Sequence, residues 1–167
     1  DAPDRYAGLL VMNTLLATGD VPLTPGFLAW REMCAKNPDY DIARLFAQVH
    51  PPMSPAECKA YTAPFPDKGH RSATRAFAAL VPDQWDSEGA AVSRQARHFW
   101  QTQWRGKTLM AIGMQDPVMG YAAMATLAET IRDCSQPLCI TSAGHFVPED
   151  GHLIAQAAVR CFGPNLD

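Results

Sequence analysis

Charge is scarce in this sequence and nowhere clustered. Of its 167 residues 19% are charged, and 14 basic against 17 acidic side chains leave a net charge of −3. Without a basic stripe or interleaved aromatics there is no footprint for a phosphate backbone, so nucleic acid is not the expected partner. No run approaches the roughly 18 consecutive apolar residues of a membrane helix, and the opening Asp1-Ala-Pro-Asp-Arg-Tyr6 has neither the basic nor the apolar region of a secretory leader. Cys34, Cys58, Cys134, Cys139 and Cys161 are odd in number and form no Cys-x-x-Cys pair. They read as reduced thiols, most among apolar neighbours, in a cytoplasmic setting. Internal repeats and low-complexity tracts are also missing. What remains is 47% apolar composition, enough for one ordinary domain with a real core.

The apolar residues fall into two textures. Leu9-Leu-Val-Met-Asn13 is a short continuous run, the pattern of a strand buried on both faces of a parallel sheet. From about Gly26 to about Arg75 short helices broken by prolines replace any strand pattern. Phe27, Trp30 and Met33/Cys34 share a helical face there, Asp41 can cap a helix carrying Ile42, Leu45, Phe46 and Val49, and Ser54-Pro-Ala-Glu57 is a capping box with proline at the first helical position. After the irregular stretch Val81 to Trp85, Ser87 can cap a helix through Phe99 and Trp100. Helix and strand then alternate. Lys107 to Gly113 reads as a second buried strand, Ala123, Leu127 and Ile131 keep helical spacing, Pro137 to Ser142 reads as a third strand, and Asp150 to Phe162 as an amphipathic helix closed by Gly163. Strands separated by helices imply an α/β fold on a mostly parallel sheet, with ligands at the carboxyl ends of the strands.

Two side chains at such ends carry chemistry. Asp116 follows the second strand and His145 the third, 29 positions apart, the histidine preceded by the small Ala143-Gly144. Histidine suits proton transfer because its ordinary pKa, about 6.5, lies near working pH, and a buried carboxylate can fix its tautomer and stabilise its charged form. Taken singly, Asp116 reads as a turn residue and His145 as a loop histidine; taken together they read as the acid and base of a hydrolase triad. The nucleophile such a pair needs sits in α/β-hydrolases on a Gly-x-nucleophile-x-Gly turn upstream of both. No Gly-x-[Ser/Asp/Cys]-x-Gly occurs from Asp1 to Asp167. The chain therefore reads as the back half of an enzyme.

The remaining polar and aromatic residues have plainer readings. His145, Glu149 and His152 match no common zinc spacing, with Pro148 between them, so no metal is expected. Glu149 and Asp150 suit the positive end of the last helix. His50, His70 and His98 read as surface residues, and Trp85, Trp100 and Trp104 as packing. Trp30 reads by itself as packing too, although an indole N–H in an apolar pocket can hold a weakly hydrated anion without bringing in a base.

The blocks Gly26-Phe-Leu-Ala-Trp30, Tyr61-Thr-Ala-Pro-Phe-Pro-Asp67, Phe99-Trp100, Met110-Ala-Ile-Gly-Met-Gln-Asp116 and Ala143-Gly-His-Phe-Val147 resemble the haloalkane dehalogenases, nearly end to end. Ala-Gly-His-Phe is generic to α/β-hydrolases; the Ala-Pro-Phe-Pro-Asp and Phe-x-Ala-Trp blocks are far more specific. The resemblance implies an α/β-hydrolase fold, the C-terminal part of a mostly parallel sheet with an inserted helical cap. Residues 1–18 would hold a core strand and the start of the cap linker, 19–75 the cap, 76–163 the C-terminal core and 164–167 a tail. It implies hydrolysis of a carbon–halogen bond to an alcohol and a halide through an alkyl-enzyme ester, with no cofactor. The partners would be a small halogenated hydrocarbon, halide and water, and the full-length protein a monomer.

By the same resemblance His145 matches the general base and Asp116 the acid that orients it. Trp30 matches the cap tryptophan that stabilises the departing halide, and Phe27, Phe65, Pro66, Val118, Met119 and Phe146 match pocket walls. The family places its acid after either of two strands, and Asn13 cannot be that acid while Asp116 can. The family's nucleophilic aspartate, the tryptophan after it and the oxyanion-hole backbone all precede the first strand of this chain. The chain alone is therefore expected to be inactive, and to aggregate through an unpaired sheet edge. Two other readings stand beside this one: another α/β-hydrolase, such as an epoxide hydrolase or esterase, and a non-catalytic truncated half-domain. Epoxide opening would draw on cap tyrosines, of which Tyr40 and Tyr61 are the candidates.

Overall fold

The computed structural model describes residues 5–37 and 39–163; the expected tail, 164–167, lies outside them. The chain divides into two compact units, one formed by the chain up to Leu16 and from Arg94 onward, the other by Ala17–Ser93.

The first unit is built on a parallel sheet of β1 (Gly8–Met12), β2 (Lys107–Gly113) and β3 (Leu138–Ile140), in that spatial order. Gly8 pairs with Lys107 and Met12 with Ala111, while Gly113 pairs with Ile140, so the carboxyl ends of all three strands lie together. The central strand β2 is buried at every position after Lys107. Its side chains alternate between two cores, as a period of two requires. Met110 and Ile112 pack with Val11, Trp104 and the Met124 and Leu127 of α6 (Tyr121–Thr130). Ala111 turns the other way, toward Ile140, Val147 and the Ile154 of α7 (Gly151–Phe162). Met110 and Ile112 are fully buried, and each such side chain contributes about 1.5–3 kcal/mol relative to exposure. Phe99 and Trp100 of α5 (Ala90–Thr102) close the first core, and the Trp104 indole N–H donates to Thr108 Oγ1 at 2.9 Å.

The second unit is helical: α1 (Pro25–Lys36), α2 (Ile42–Ala47), α3 (Pro55–Thr62) and α4 (Ser72–Leu80), with the start of α5. The capping chemistry foreseen for it is present. Asp41 Oδ1 accepts from the Arg44 amide at 3.1 Å, and Ser54 and Glu57 cap each other's backbone at 3.3 and 2.7 Å. Phe27, Cys34, Ile42, Phe46 and Cys58 are buried, Phe46 stacking on Tyr61 at 4.3 Å. Arg31 ties α1 to α4 and to the segment after it, donating to the Ala78 carbonyl at 3.0 Å and to Asp83 at 2.6 Å.

Several local expectations need correction. β1 is not buried on both faces: only Val11 is buried, and Leu10 is 38% exposed, because β1 lies at the edge of the described sheet. Ser87 does not cap α5; its Oγ accepts from the Gln84 amide at 3.0 Å, and the helix starts at Ala90 after Gly89, whose φ of +80° turns the chain. Trp85 is exposed rather than packed. The third strand is shorter than Pro137 to Ser142. The last helix begins at Gly151, after a separate 3₁₀ turn over Val147–Asp150 that absorbs Pro148.

Candidate active site

The carboxyl ends of the three strands converge on one carboxylate. Past β2, the Met114 amide donates to the Ile140 carbonyl at 3.0 Å and the Gln115 amide to the Ala143 carbonyl at 2.9 Å. These bonds hold the turn after β2 against the loop after β3. The approach depends on Gly113, since a Cβ there would lie 2.0 Å from the Gly144 carbonyl oxygen. Asp116 is carried on the first loop and His145 on the second, and they meet: His145 Nδ1 lies 2.7 Å from Asp116 Oδ2.

Asp116 is enclosed by donors. Its side chain has no exposed surface. Oδ1 accepts from the amides of Val118 and Met119 at 2.8 and 3.0 Å, and Oδ2 accepts from Asn13 Nδ2 at 2.8 Å as well as from His145. Burial alone would raise the carboxyl pKa. The hydrogen bonds from His145, Asn13, Met119 and Val118 outweigh it and bring the value down to about 2. Near neutral pH Asp116 is therefore a carboxylate, which can only accept, so His145 carries its proton on Nδ1 and Nε2 is left basic. The His145 side chain is 48% exposed, and the Phe146 ring meets its imidazole edge-on at 5.3 Å. A half-exposed imidazole oriented in this way can accept a proton at Nε2, and the buried anion stabilises the cation that results.

Relatives give this arrangement its context. The chain is 35% identical over 154 residues to haloalkane dehalogenase 1 of Mycobacterium bovis, a match covering 88% of this chain and 49% of that protein. It is 30% identical over 153 residues to a haloalkane dehalogenase of Mycolicibacterium paratuberculosis, covering 90% and 50%. The chain is a homologue of the haloalkane dehalogenases. Among solved structures, the tetrameric haloalkane dehalogenase DpaA from Paraglaciecola agarilytica NO2 matches with a TM-score of 0.87 and 33% identity, over 98% of this chain and 54% of that one. No family model matches. The parallel sheet flanked by helices is thus part of an α/β-hydrolase fold, and this haloalkane dehalogenase homologue spans about half the length of the relatives it matches. The tetramer is a property of DpaA and differs from the monomer that the resemblance implied here.

Of the other residues singled out in the sequence, Val118, Met119 and Phe146 lie beside the pair, the first two through the amides that bind Asp116. Phe27, Trp30, Phe65 and Pro66 lie in the helical unit. Phe27 is buried under the Arg31 guanidinium, 5.4 Å from its ring. Trp30 is half-buried and edge-on to Tyr40 at 5.9 Å. It lines an open groove of about 800 Å³ with Met33, Tyr40 and Arg44, and Phe65 and Pro66 line another of about 780 Å³. Asn13 was missed as a partner of Asp116. The available cue is a polar side chain closing an apolar strand. Among the described residues no three His, Cys, Asp or Glu side chains converge as metal ligands, and no helix is long and apolar enough to cross a membrane.

Proposed function

We propose that the protein containing this chain is a haloalkane dehalogenase, hydrolysing a halogenated alkane to an alcohol and halide, with His145 as general base and Asp116 as the acid that orients it. The observation that supports this most is the 2.7 Å contact between His145 Nδ1 and a carboxylate with no exposed surface, in a homologue of dehalogenases. In this reading a carboxylate nucleophile upstream of β1 displaces halide from carbon and forms an alkyl-enzyme ester. His145 Nε2 then takes a proton from water as the oxygen attacks the ester carbonyl. The alcohol leaves with a proton returned by the imidazolium, and Asp116 stays ionised throughout. Trp30 donates its indole N–H to the departing halide. Residues 1–167 supply base and acid but no nucleophile on a Gly-x-nucleophile-x-Gly turn, and alone they release no halide.

His145→Ala in the complete enzyme tests the assignment. The ester should form and persist, seen as an added alkyl mass on the intact protein, with turnover lower by at least about a thousandfold, as when a triad member is lost. Turnover at the wild-type rate would refute the base. In the same preparation Trp30→Phe should weaken bromide quenching of tryptophan fluorescence, and unchanged quenching removes Trp30 from halide binding.

A further inference from the structure

Asn13 closes β1 at a φ of 24°, a backbone conformation that asparagine adopts more readily than most residues, and it is 6% exposed. Its Oδ1 accepts from the Gly113 amide at 2.7 Å, and its Nδ2 donates to the Gly113 carbonyl at 3.1 Å and to Asp116 Oδ2 at 2.8 Å. Gly113 presents one donor and one acceptor, so the amide has a single orientation: flipped, its carbonyl would face the Gly113 carbonyl and an ionised carboxylate. The two bonds to Gly113 tie the end of β1 to the end of β2. The third bond does nothing for strand pairing, and it falls on the same oxygen that faces His145.

We propose that Asn13 is a positioning residue for the histidine base, holding Asp116 so that Oδ2 meets His145 Nδ1 and remains an acceptor. The proposal rests on the reading of His145 as base, and it adds a residue that acts only through Asp116. Without the Asn13 amide, Oδ2 keeps one donor instead of two, the carboxylate is easier to protonate, and one anchor against rotation is lost. A protonated or rotated Asp116 no longer accepts from Nδ1, and Nε2 loses its fixed orientation.

The test uses Asn13→Ala and Asn13→Asp in the complete protein, with the aspartate carboxyls followed by ¹³C NMR and Asp116→Asn identifying the Asp116 resonance. The Asp116 midpoint should rise by about one pH unit in Asn13→Ala. It should rise further in Asn13→Asp, where two carboxyls placed 2.8 Å apart must share a proton. For a short bromoalkane, kcat should fall about tenfold in Asn13→Ala with KM unchanged, and the acid limb of its pH profile should move with the Asp116 midpoint. Asn13→Asp is nearly isosteric and keeps the measurement possible if the alanine variant does not fold. An Asp116 midpoint unmoved in both variants overturns the proposal, as does a moved midpoint with kcat and pH profile unchanged. Failure of the base assignment looks different: His145→Ala then turns over normally while the carboxyl titrations still respond to Asn13.

Discussion

Asp116 accepts four hydrogen bonds through two oxygens, and each donor favours its charged form. That makes the site a source of acid-sensitive stability. The folded pKa, about 2, lies below the ordinary 3.8, so the contribution is complete above about pH 4 and is lost as pH falls through the folded value. The difference corresponds to about 2 kcal/mol for a side chain with no exposed surface. Asp116→Asn should remove it, because an amide cannot satisfy donors on both sides and must turn its own N–H₂ toward one of them. Urea unfolding should show the variant less stable than wild type by about 2 kcal/mol near pH 7, with the gap closing near pH 2. A gap of constant size would mean that ionisation of Asp116 contributes nothing.

At the level of strands and helices, the second strand was readable to the residue, Lys107–Gly113, because a central parallel strand is apolar on both faces and leaves its signature in consecutive positions. The same signature misled at Leu9–Asn13, since burial there is decided by what pairs beside a strand and not by its own residues. Ser87 failed as a cap because its hydroxyl is engaged in the preceding turn, a competition that spacing does not reveal. That Asp116 and His145 meet was legible because each lies in the loop just past a strand. Asn13 was not, because its partners lie 100 and 103 positions away. The junction that unites them is Gly113. Gly113→Ala would set a methyl 2.0 Å from the Gly144 carbonyl oxygen and force the end of β2 from the loop carrying His145. It should destabilise the fold by at least about 2 kcal/mol, as overpacking against backbone does. It should also break the contact with Asp116, seen as loss of the Nδ1–H resonance of His145 in NMR spectra. A variant that keeps both the resonance and the melting temperature would show that this approach tolerates a side chain.

For the whole polypeptide, the sheet carries the consequence. Among the described residues β1 pairs with β2 on one side and with no strand on the other, leaving a row of backbone donors and acceptors without sheet partners. Apolar side chains lie exposed in the same unit: Leu10 on β1, Tyr6 just before it, and Val159 on α7. A parallel strand edge beside exposed apolar surface is a template for pairing with another chain. The 167-residue polypeptide expressed by itself should therefore self-associate, eluting from size exclusion above its monomer mass of 18.2 kDa and melting over a broad range. A charged residue on the edge opposes such pairing, so Leu10→Lys should shift the distribution toward monomer while leaving the His145–Asp116 pair intact, because Leu10 lies outside that contact. A sharply melting monomer without the substitution would show that the β1 edge is quiescent and needs no further strand to cover it.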